Sequence, residues 1–375
     1  MSQKHEIPGK FIRQATGYSA FIPLPLPPKI TWNTRLTRCL SDADRLLGQL
    51  SGEGKRLPNP HLLIRPFIKR EAVYSSRIEG TQASLGELLA NDAGAHVERS
   101  PADLLEVGNY VKALDYGVKR LKSFPLSLRF VREIHEKLMK GLPGKGLTPG
   151  EFRRSQNWIG APGSTIMTAG YVPPPPCELL ACLGEWEKFL HDQSLPPLQQ
   201  AALIHYQFEA IHPFLDGNGR VGRQLIIFFL MERKLLPSPL LYLSAFFENS
   251  RQEYYARLSG VSKRGEWAEW LEYFFNGVSR QAEDALYRTE KINLLINKWE
   301  KQLVKQSSDN PQRMFKMLIE NPFLTITHAA KKLDVAYTTA QRSLEYLQKL
   351  GIVQKVGDSK RDKVYCAQAL LRILE

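Results

Sequence analysis

Apolar residues recur along most of this chain at the i, i+3, i+4 spacing that places them on one face of a helix. That pattern predicts helices over Asn33–Leu50, His61–Glu79, Ser84–Leu89, Asp103–Leu121, Leu128–Met139 and Glu178–Asp192. Leu198–Ile211 joins them through its apolar spacing and its Ala, Gln and Glu content. Arg220–Gln224 leads into the apolar run Leu225–Met231, which together have helical length. Further helices are predicted over Arg251–Leu258, Trp267–Phe275 and Val278–Gln306. Ser84-Leu-Gly-Glu87 has the form of a capping box. The proline-dotted Phe21–Pro28 is predicted to wrap the core, and Gly and Pro crowd Gly141–Pro176. Inside that stretch, Asn157–Val172 sets β-branched and aromatic residues on either side of Pro162-Gly-Ser164, a hairpin signal in an otherwise helical chain. Lys305–Pro311 has linker composition. Beyond it, Pro311–Glu320, Thr325–Leu333 and Tyr337–Leu350 are predicted as three short helices. Gly351–Val356, Gly357–Asp362 and Lys363–Cys366 then supply strand, turn and strand. The fold class expected is mainly α.

The length of 375 residues allows two or three domains, and 43% hydrophobic with 24% charged residues excludes wholesale disorder. Met1–Pro8 lacks the apolar core of a signal peptide, and no apolar run approaches the ~20 residues of a membrane span. Cys39, Cys177, Cys182 and Cys366 form no C-x-x-C pair, so neither a zinc site nor a disulfide framework is expected. A soluble, cytoplasmic protein without a membrane partner is the expectation. The net charge of +13 favours an anionic partner, and ATP, nucleic acid or an acidic protein would each satisfy it.

The densest chemistry lies in His212-Pro-Phe-Leu-Asp-Gly-Asn-Gly-Arg-Val-Gly-Arg223. His212 has a side chain that titrates near neutral pH, which suits a general base. Asp216 offers the hard oxygen ligand that Mg²⁺ prefers, with phosphates as co-ligands. Gly217, Asn218 and Gly219 stand at a predicted helix start, where unpaired N–H groups and the positive dipole end attract anions. Arg220 and Arg223, three apart, point to one side of its first turn. Gly217-Asn-Gly-Arg-Val-Gly222 also satisfies G-x-G-x-x-G, but the segment before it is helical, so the dinucleotide-binding strand–turn–helix is excluded. No G-x-x-x-x-G-K-[ST] occurs, which excludes a P-loop.

His212–Arg223 resembles the signature of the Fic (filamentation induced by cyclic AMP) family, H-x-F-x-[DE]-G-N-G-[RK]-x-x-R, at every defined position. The resemblance implies a Fic-type helical bundle with a small β-hairpin flap, and transfer of AMP from ATP to a protein hydroxyl. His212 would be the general base, Phe214 would pack beneath the loop, and Asp216 would hold Mg²⁺ across the α- and β-phosphates. Gly217, Asn218 and Gly219 would form the anion nest, with Arg220 and Arg223 on the β- and γ-phosphates. Ser75-x-x-x-Glu79-Gly80 is similar to the family's inhibitory motif, in which Glu79 would take Arg223 away from the γ-phosphate. The segment Asn157–Val172 resembles the Fic flap, with Thr168, Ala169, Gly170 and Tyr171 nearest nucleotide and target. Tyr254 falls where the family often offers an aromatic to adenine, although an aromatic inside a helix also suits a core.

The last residues resemble a winged helix. From Pro311 they carry 11 Lys/Arg against 6 Asp/Glu, a net +5 that is modest for DNA. Winged helices also dock proteins and form dimers, so DNA is one partner among several left open. The expected organisation is an N-terminal helical region with the inhibitory helix (1–110), a Fic core (111–304) and a winged helix (311–375). Partners implied by the resemblance are a target protein offering a Ser, Thr or Tyr hydroxyl, the chain itself, and a second copy, since Fic proteins often dimerise. Removal of AMP, transfer of another phosphate-containing group, and a nucleotide-sensing DNA-binding regulator are the alternatives. A purely sensory core would need no base, which weighs against the last.

Overall fold

The computed structural model describes residues 8–56, 60–144, 148–303, 309–357 and 363–375. It opens on two antiparallel strands, β1 (Gly9–Arg13) and β2 (Ser19–Pro23), in a register that sets Phe11 opposite Phe21. Their rings lie 5.1 Å apart, a cross-strand aromatic pair. The N-terminal segment expected only to wrap the core therefore carries a hairpin. Helix α1 (Thr34–Arg56) starts where the Asn33 side chain accepts the Leu36 N–H. Next come α2 (Pro60–Ile78), α3 (Leu85–Asp92), α4 (Pro101–Arg120), α5 (Leu128–Met139) and α6 (Pro176–Leu190). The capping box read from Ser84 and Glu87 is present at the start of α3, both of its bonds made. Proline opens α4 and α6, a position where its missing N–H costs nothing.

Helices α7 (Pro197–Ile211), α8 (Asn218–Glu232), α9 (Ser244–Asn249), α10 (Arg251–Arg264) and α11 (Trp267–Gln302) follow. The break expected in α11 near Gly277 does not occur. A Cβ on Gly277 would sit 2.6 Å from the Phe246 ring, so that glycine admits an aromatic neighbour rather than ending a helix. The chain closes with α12 (Asn310–Glu320), β3 (Phe323–Thr325), α13 (Ile326–Leu333), α14 (Tyr337–Lys349), β4 (Gln354–Val356), β5 (Val364–Cys366) and α15 (Gln368–Leu374). The expected linker Lys305–Pro311 and turn Gly357–Asp362 fall largely on 304–308 and 358–362, outside the described residues. Among the described residues, no helix is long and apolar enough to cross a membrane.

Contacts divide the chain into two units that are not linear in sequence. One takes residues 1–52 and 109–282, the other 53–108 and 283–375, with the divisions falling inside α1, α4 and α11. The linear division at 110 and 304 differs because 53–108 packs with the C-terminal residues. In that second unit, α2 packs on α12 and α15. The Asn321 side chain donates to the Leu89 carbonyl, and the Thr325 hydroxyl to that of Ala93. Its sheet has the order β3-β5-β4, all antiparallel, with Lys355 opposite Tyr365.

The first unit is built around α7 and α8. Thirteen of the fifteen residues of α7 and twelve of the fifteen of α8 are buried, so the loop joining them stands on an enclosed platform. Trp186 and Trp270 donate their indole N–H to the Ile204 and Ala202 carbonyls of α7. Phe208, Phe214, Phe228 and Phe229 are fully buried, Phe208 against Trp186 and Phe228 against Phe130 of α5.

Candidate active site

Helix α7 ends at His212, whose backbone is left-handed at φ 50°, ψ 60° while its N–H still reaches the Phe208 carbonyl. A histidine held there costs on the order of 1–3 kcal/mol and persists only where its surroundings dictate it. The imidazole Nδ1 lies 3.3 Å from the Glu209 carbonyl oxygen. A carbonyl only accepts, so that contact places the proton on Nδ1 and leaves the lone pair on Nε2.

The loop after His212 is held by its carbonyls. Arg153 donates Nε–H to the His212 carbonyl at 2.9 Å, its backbone N–H to Pro213 at 2.9 Å, and Nη2 to Pro174 and Ile211. The Asn157 side chain donates to His212 and Phe214, the latter at 2.8 Å. His135 from α5 meets the Asp216 carbonyl at 3.0 Å through Nε2 and accepts the Gly150 N–H at 2.9 Å through Nδ1. Its ring stacks on Phe214 at 3.7 Å, and burial lowers its pKa to about 4. Burial likewise lowers Arg153 to about 10, still a cation at neutral pH. His135, Arg153 and Asn157 were not singled out from sequence. Their signal is long-range, three polar side chains spent on one loop's backbone.

At the start of α8, Gly217 is the N-cap with φ 79°, and Asn218 clamps Phe214 twice, donating to its carbonyl and accepting its N–H, both at 2.8 Å. The Asn218 side chain thus shapes the loop, leaving backbone N–H groups of the first turn as the anion-facing donors. Asp216 accepts the Gly217 N–H and, at 3.2 Å, Nη2 of Arg220. Its carboxylate is 54% exposed beside an almost fully buried guanidinium. Among the described residues no group of three His, Cys, Asp or Glu could hold a metal alone. One exposed carboxylate suits Mg²⁺ brought in with a polyphosphate, because that ion usually takes only one or two protein carboxylates.

Arg223 is buried and close enough to His205 for its charge to help burial lower that histidine's pKa to about 3. Gly222, undefined in the signature, is closely packed: a Cβ there would lie 2.2 Å from a Glu209 carboxylate oxygen, so that side chain would have to move. Tyr254 is 1% exposed, bonds His205 through its hydroxyl at 2.8 Å and stacks on Phe247 at 4.5 Å. Enclosed in that aromatic cluster it offers no face to adenine, and this corrects the expectation. Tyr255, 43% exposed, is the accessible aromatic of the pair.

The flap segment forms one antiparallel bridge, Ile159 with Tyr171, rather than a full hairpin. Between them the Thr168 hydroxyl bonds within a Thr165–Thr168 turn, and Thr168 and Gly170 are exposed while Ala169 is half-buried. Tyr171 turns inward and donates its hydroxyl to the Ala210 carbonyl at 2.7 Å, two residues before His212. Burial raises its pKa well above the ordinary value. It is the flap's anchor, and Thr168, Ala169 and Gly170 form its outward part. A cavity of about 540 Å³ beside Arg132, Phe152 and Leu179 contains no signature residue.

Ser75 and Glu79 belong to the second unit. Ser75 is fully buried, and α2 ends with Thr81 N–H on the Ser76 carbonyl and Gly80 N–H on that of Arg77, the bonding of a Schellman motif with Gly80 at φ 109°. Glu79 occupies the cap and is exposed. Arg77, a candidate local partner for it, donates Nε–H to the Ala83 carbonyl and lies over Tyr74.

Comparison with known proteins decides the family. The Fic/DOC family model matches residues 125–230, and the Fic/DOC family N-terminal model matches 37–119, together half of the chain. The chain belongs to the Fic/DOC family. Protein adenylyltransferase Fic of Drosophila virilis is 34% identical over 132 residues, 33% of this chain and 25% of that protein. The protein of the same name from Drosophila melanogaster is 32% identical over 132 residues, covering 33% of this chain and 24% of its own length. The similarity thus spans about a quarter of these relatives' length. A Fic family protein from Desulfovibrio desulfuricans G20 shares the fold across 91% of this chain and 98% of its own, with a TM-score of 0.61 at 18% identity. Fic-1 (residues 134–508) from C. elegans covers 68% of this chain and 73% of its own with a TM-score of 0.51 at 20% identity. The signature, the helical pair that carries it and the flap are therefore features of a Fic fold.

Proposed function

We propose that this chain is a protein adenylyltransferase that moves AMP from Mg–ATP to a hydroxyl side chain of a target protein, itself included. The observation that carries it is His212, held left-handed with Nδ1 on the Glu209 carbonyl, so that the lone pair is on Nε2, in the loop that leads into α8. The hydroxyl proton passes to that Nε2 as the hydroxyl oxygen attacks the α-phosphorus, the bond to the bridging oxygen breaks, and pyrophosphate departs. The first-turn N–H groups of α8 with Arg220 and Arg223 bind the β- and γ-phosphates, and Asp216 is the residue that would hold Mg²⁺. The ion, when bound, would neutralise charge on the α- and β-phosphates. Thr168, Ala169 and Gly170 would hold the target segment, with Tyr171 fixing the flap. Curated relatives that carry the adenylyltransferase name support the activity.

Glu79, at the C-terminal end of α2, restrains transfer by competing with the γ-phosphate for Arg223, and buried Ser75 fixes the helix that carries it. A carboxylate at that end opposes the helix dipole and gains by finding a cation. The four cysteines are all thiols, which fits a reducing compartment such as the cytoplasm. A homodimer remains part of the proposal.

The test is which phosphate travels. With ATP labelled at the α-phosphate, labelled protein is expected and His212→Ala abolishes it. Transfer of the γ-label alone would make the chain a kinase instead. Release of AMP from an already modified protein, without forward labelling, would favour the reverse reaction.

The order α12, β3, α13, α14, β4, β5 favours a second reading for the C-terminal residues, a winged helix. A DNA-binding regulator predicts a sequence preference in a genomic selection with the full chain. Absence of one leaves protein docking.

A further inference from the structure

Near the site, the peptide between Asp216 and Gly217 decides which way the loop's first N–H points. In a trans peptide the carbonyl and the N–H point in opposite directions, so fixing one fixes the other. Gly217, at φ 79°, has the freedom to let this peptide flip, and a flipped carbonyl would present negative charge to an incoming phosphate. Another group must select the orientation.

His135 has the contacts to do so. Its Nδ1 accepts the Gly150 N–H at 2.9 Å, and a backbone N–H can only donate. The proton of the neutral ring is therefore on Nε2, and Nε2 donates to the Asp216 carbonyl at 3.0 Å. Two backbone groups dictate one tautomer. The ring cannot pivot, because it is 3% exposed and lies parallel to Phe214 at 3.7 Å and 7°. The opposite end of the same peptide, the Gly217 N–H, meets the Asp216 carboxylate on the side where Arg220 also approaches. A Cβ at 217 would lie 2.9 Å from the Met139 sulfur on the helix that carries His135, and in ordinary contact with the His135 ring at 3.5 Å.

We propose that His135 is a positioning residue for nucleotide binding: by donating Nε2–H to the Asp216 carbonyl it locks the 216–217 peptide with its N–H on the Asp216 carboxylate and its carbonyl turned away from that side. It touches neither substrate nor metal. The inference rests on the adenylyl-transfer reading for the identity of the anion.

Two substitutions separate this role from packing. His135→Asn puts an amide oxygen near the position of Nδ1, keeping the acceptor for Gly150 and losing the donor to Asp216. His135→Gln puts an amide nitrogen near the position of Nε2 and does the reverse. Binding of Mg–α,β-methylene-ATP to the full chain is measured by calorimetry, alongside thermal unfolding. We expect His135→Asn to weaken binding about tenfold, the scale of one lost orienting hydrogen bond, and His135→Gln to stay within about threefold of the wild type. Their melting midpoints should fall alike. Equal binding by both variants, whether weakened or unchanged, overturns the proposal. Wild-type protein that does not bind the analogue contradicts the adenylyl-transfer reading, and this inference with it. Wild-type protein that binds, with His135→Asn equal to it, contradicts this inference alone.

Discussion

His205 shows how a single side chain in this core responds to pH. It is fully buried, donates Nδ1–H to the Gly222 carbonyl when Nε2 accepts the Tyr254 hydroxyl, and has no room for a second proton. Its folded-state pKa of about 3 lies below the ordinary 6.5, chiefly through burial and then through the Arg223 charge. As the pH falls, the unfolded chain takes up the proton first. The stability this residue contributes is complete above pH 6.5 and is lost progressively towards pH 3. Urea unfolding followed by tryptophan fluorescence should show a free energy falling by about 1.4 kcal/mol per pH unit for this proton. His205→Gln should remove that share of the slope, and an unchanged slope would contradict the account. None of this was visible in the sequence, where His205 is one helical residue among apolar neighbours. The local setting of His212, Asp216 and the two arginines was legible because it is fixed by short-range order around a helix start. Arg153 was not, because a buried arginine is revealed only by the carbonyls it collects from distant segments. Tyr254 was misplaced for the same reason, its partner His205 being 49 residues away.

Helices whose ends carry local chemistry were the elements best read. The box at Ser84 and Glu87 and the glycine ending α2 both work through bonds within five residues. Gly80 makes a direct prediction. At φ 109° it occupies backbone that a Cβ disfavours, with open space around it, so Gly80→Ala should cost about 1 kcal/mol through strain alone. Thermal unfolding checks this, and a neutral effect would mean that the cap relaxes. The β1–β2 hairpin escaped sequence reading because prolines mask its alternation and its pairing is sealed by an aromatic contact. The α11 break was predicted falsely because a glycine that makes room for Phe246 looks, in sequence, like one that ends a helix. In the flap, apolar alternation suggested a hairpin, whereas one bridge and the Tyr171 anchor define it.

At the scale of the whole molecule, the helix carrying Ser75 and Glu79 shares a contact unit with the C-terminal elements, while His212–Arg223 lies in the other. That grouping of distant segments cannot be read from local periodicity, which favoured linear domains. The proposed restraint and the proposed chemistry thus fall to residues of different contact units, so each should be removable without the other. The most direct measurement is label transfer from α-labelled ATP by the full chain as wild type, Glu79→Gly, and Glu79→Gly combined with His212→Ala. We predict weak self-labelling by the wild type and at least a tenfold gain for Glu79→Gly, on the scale of one released charge contact. The double variant should fall by about 10²–10⁴-fold from that level, as loss of a general base requires. No labelled band from Glu79→Gly, even with cell lysate supplied as target, would contradict the assignment.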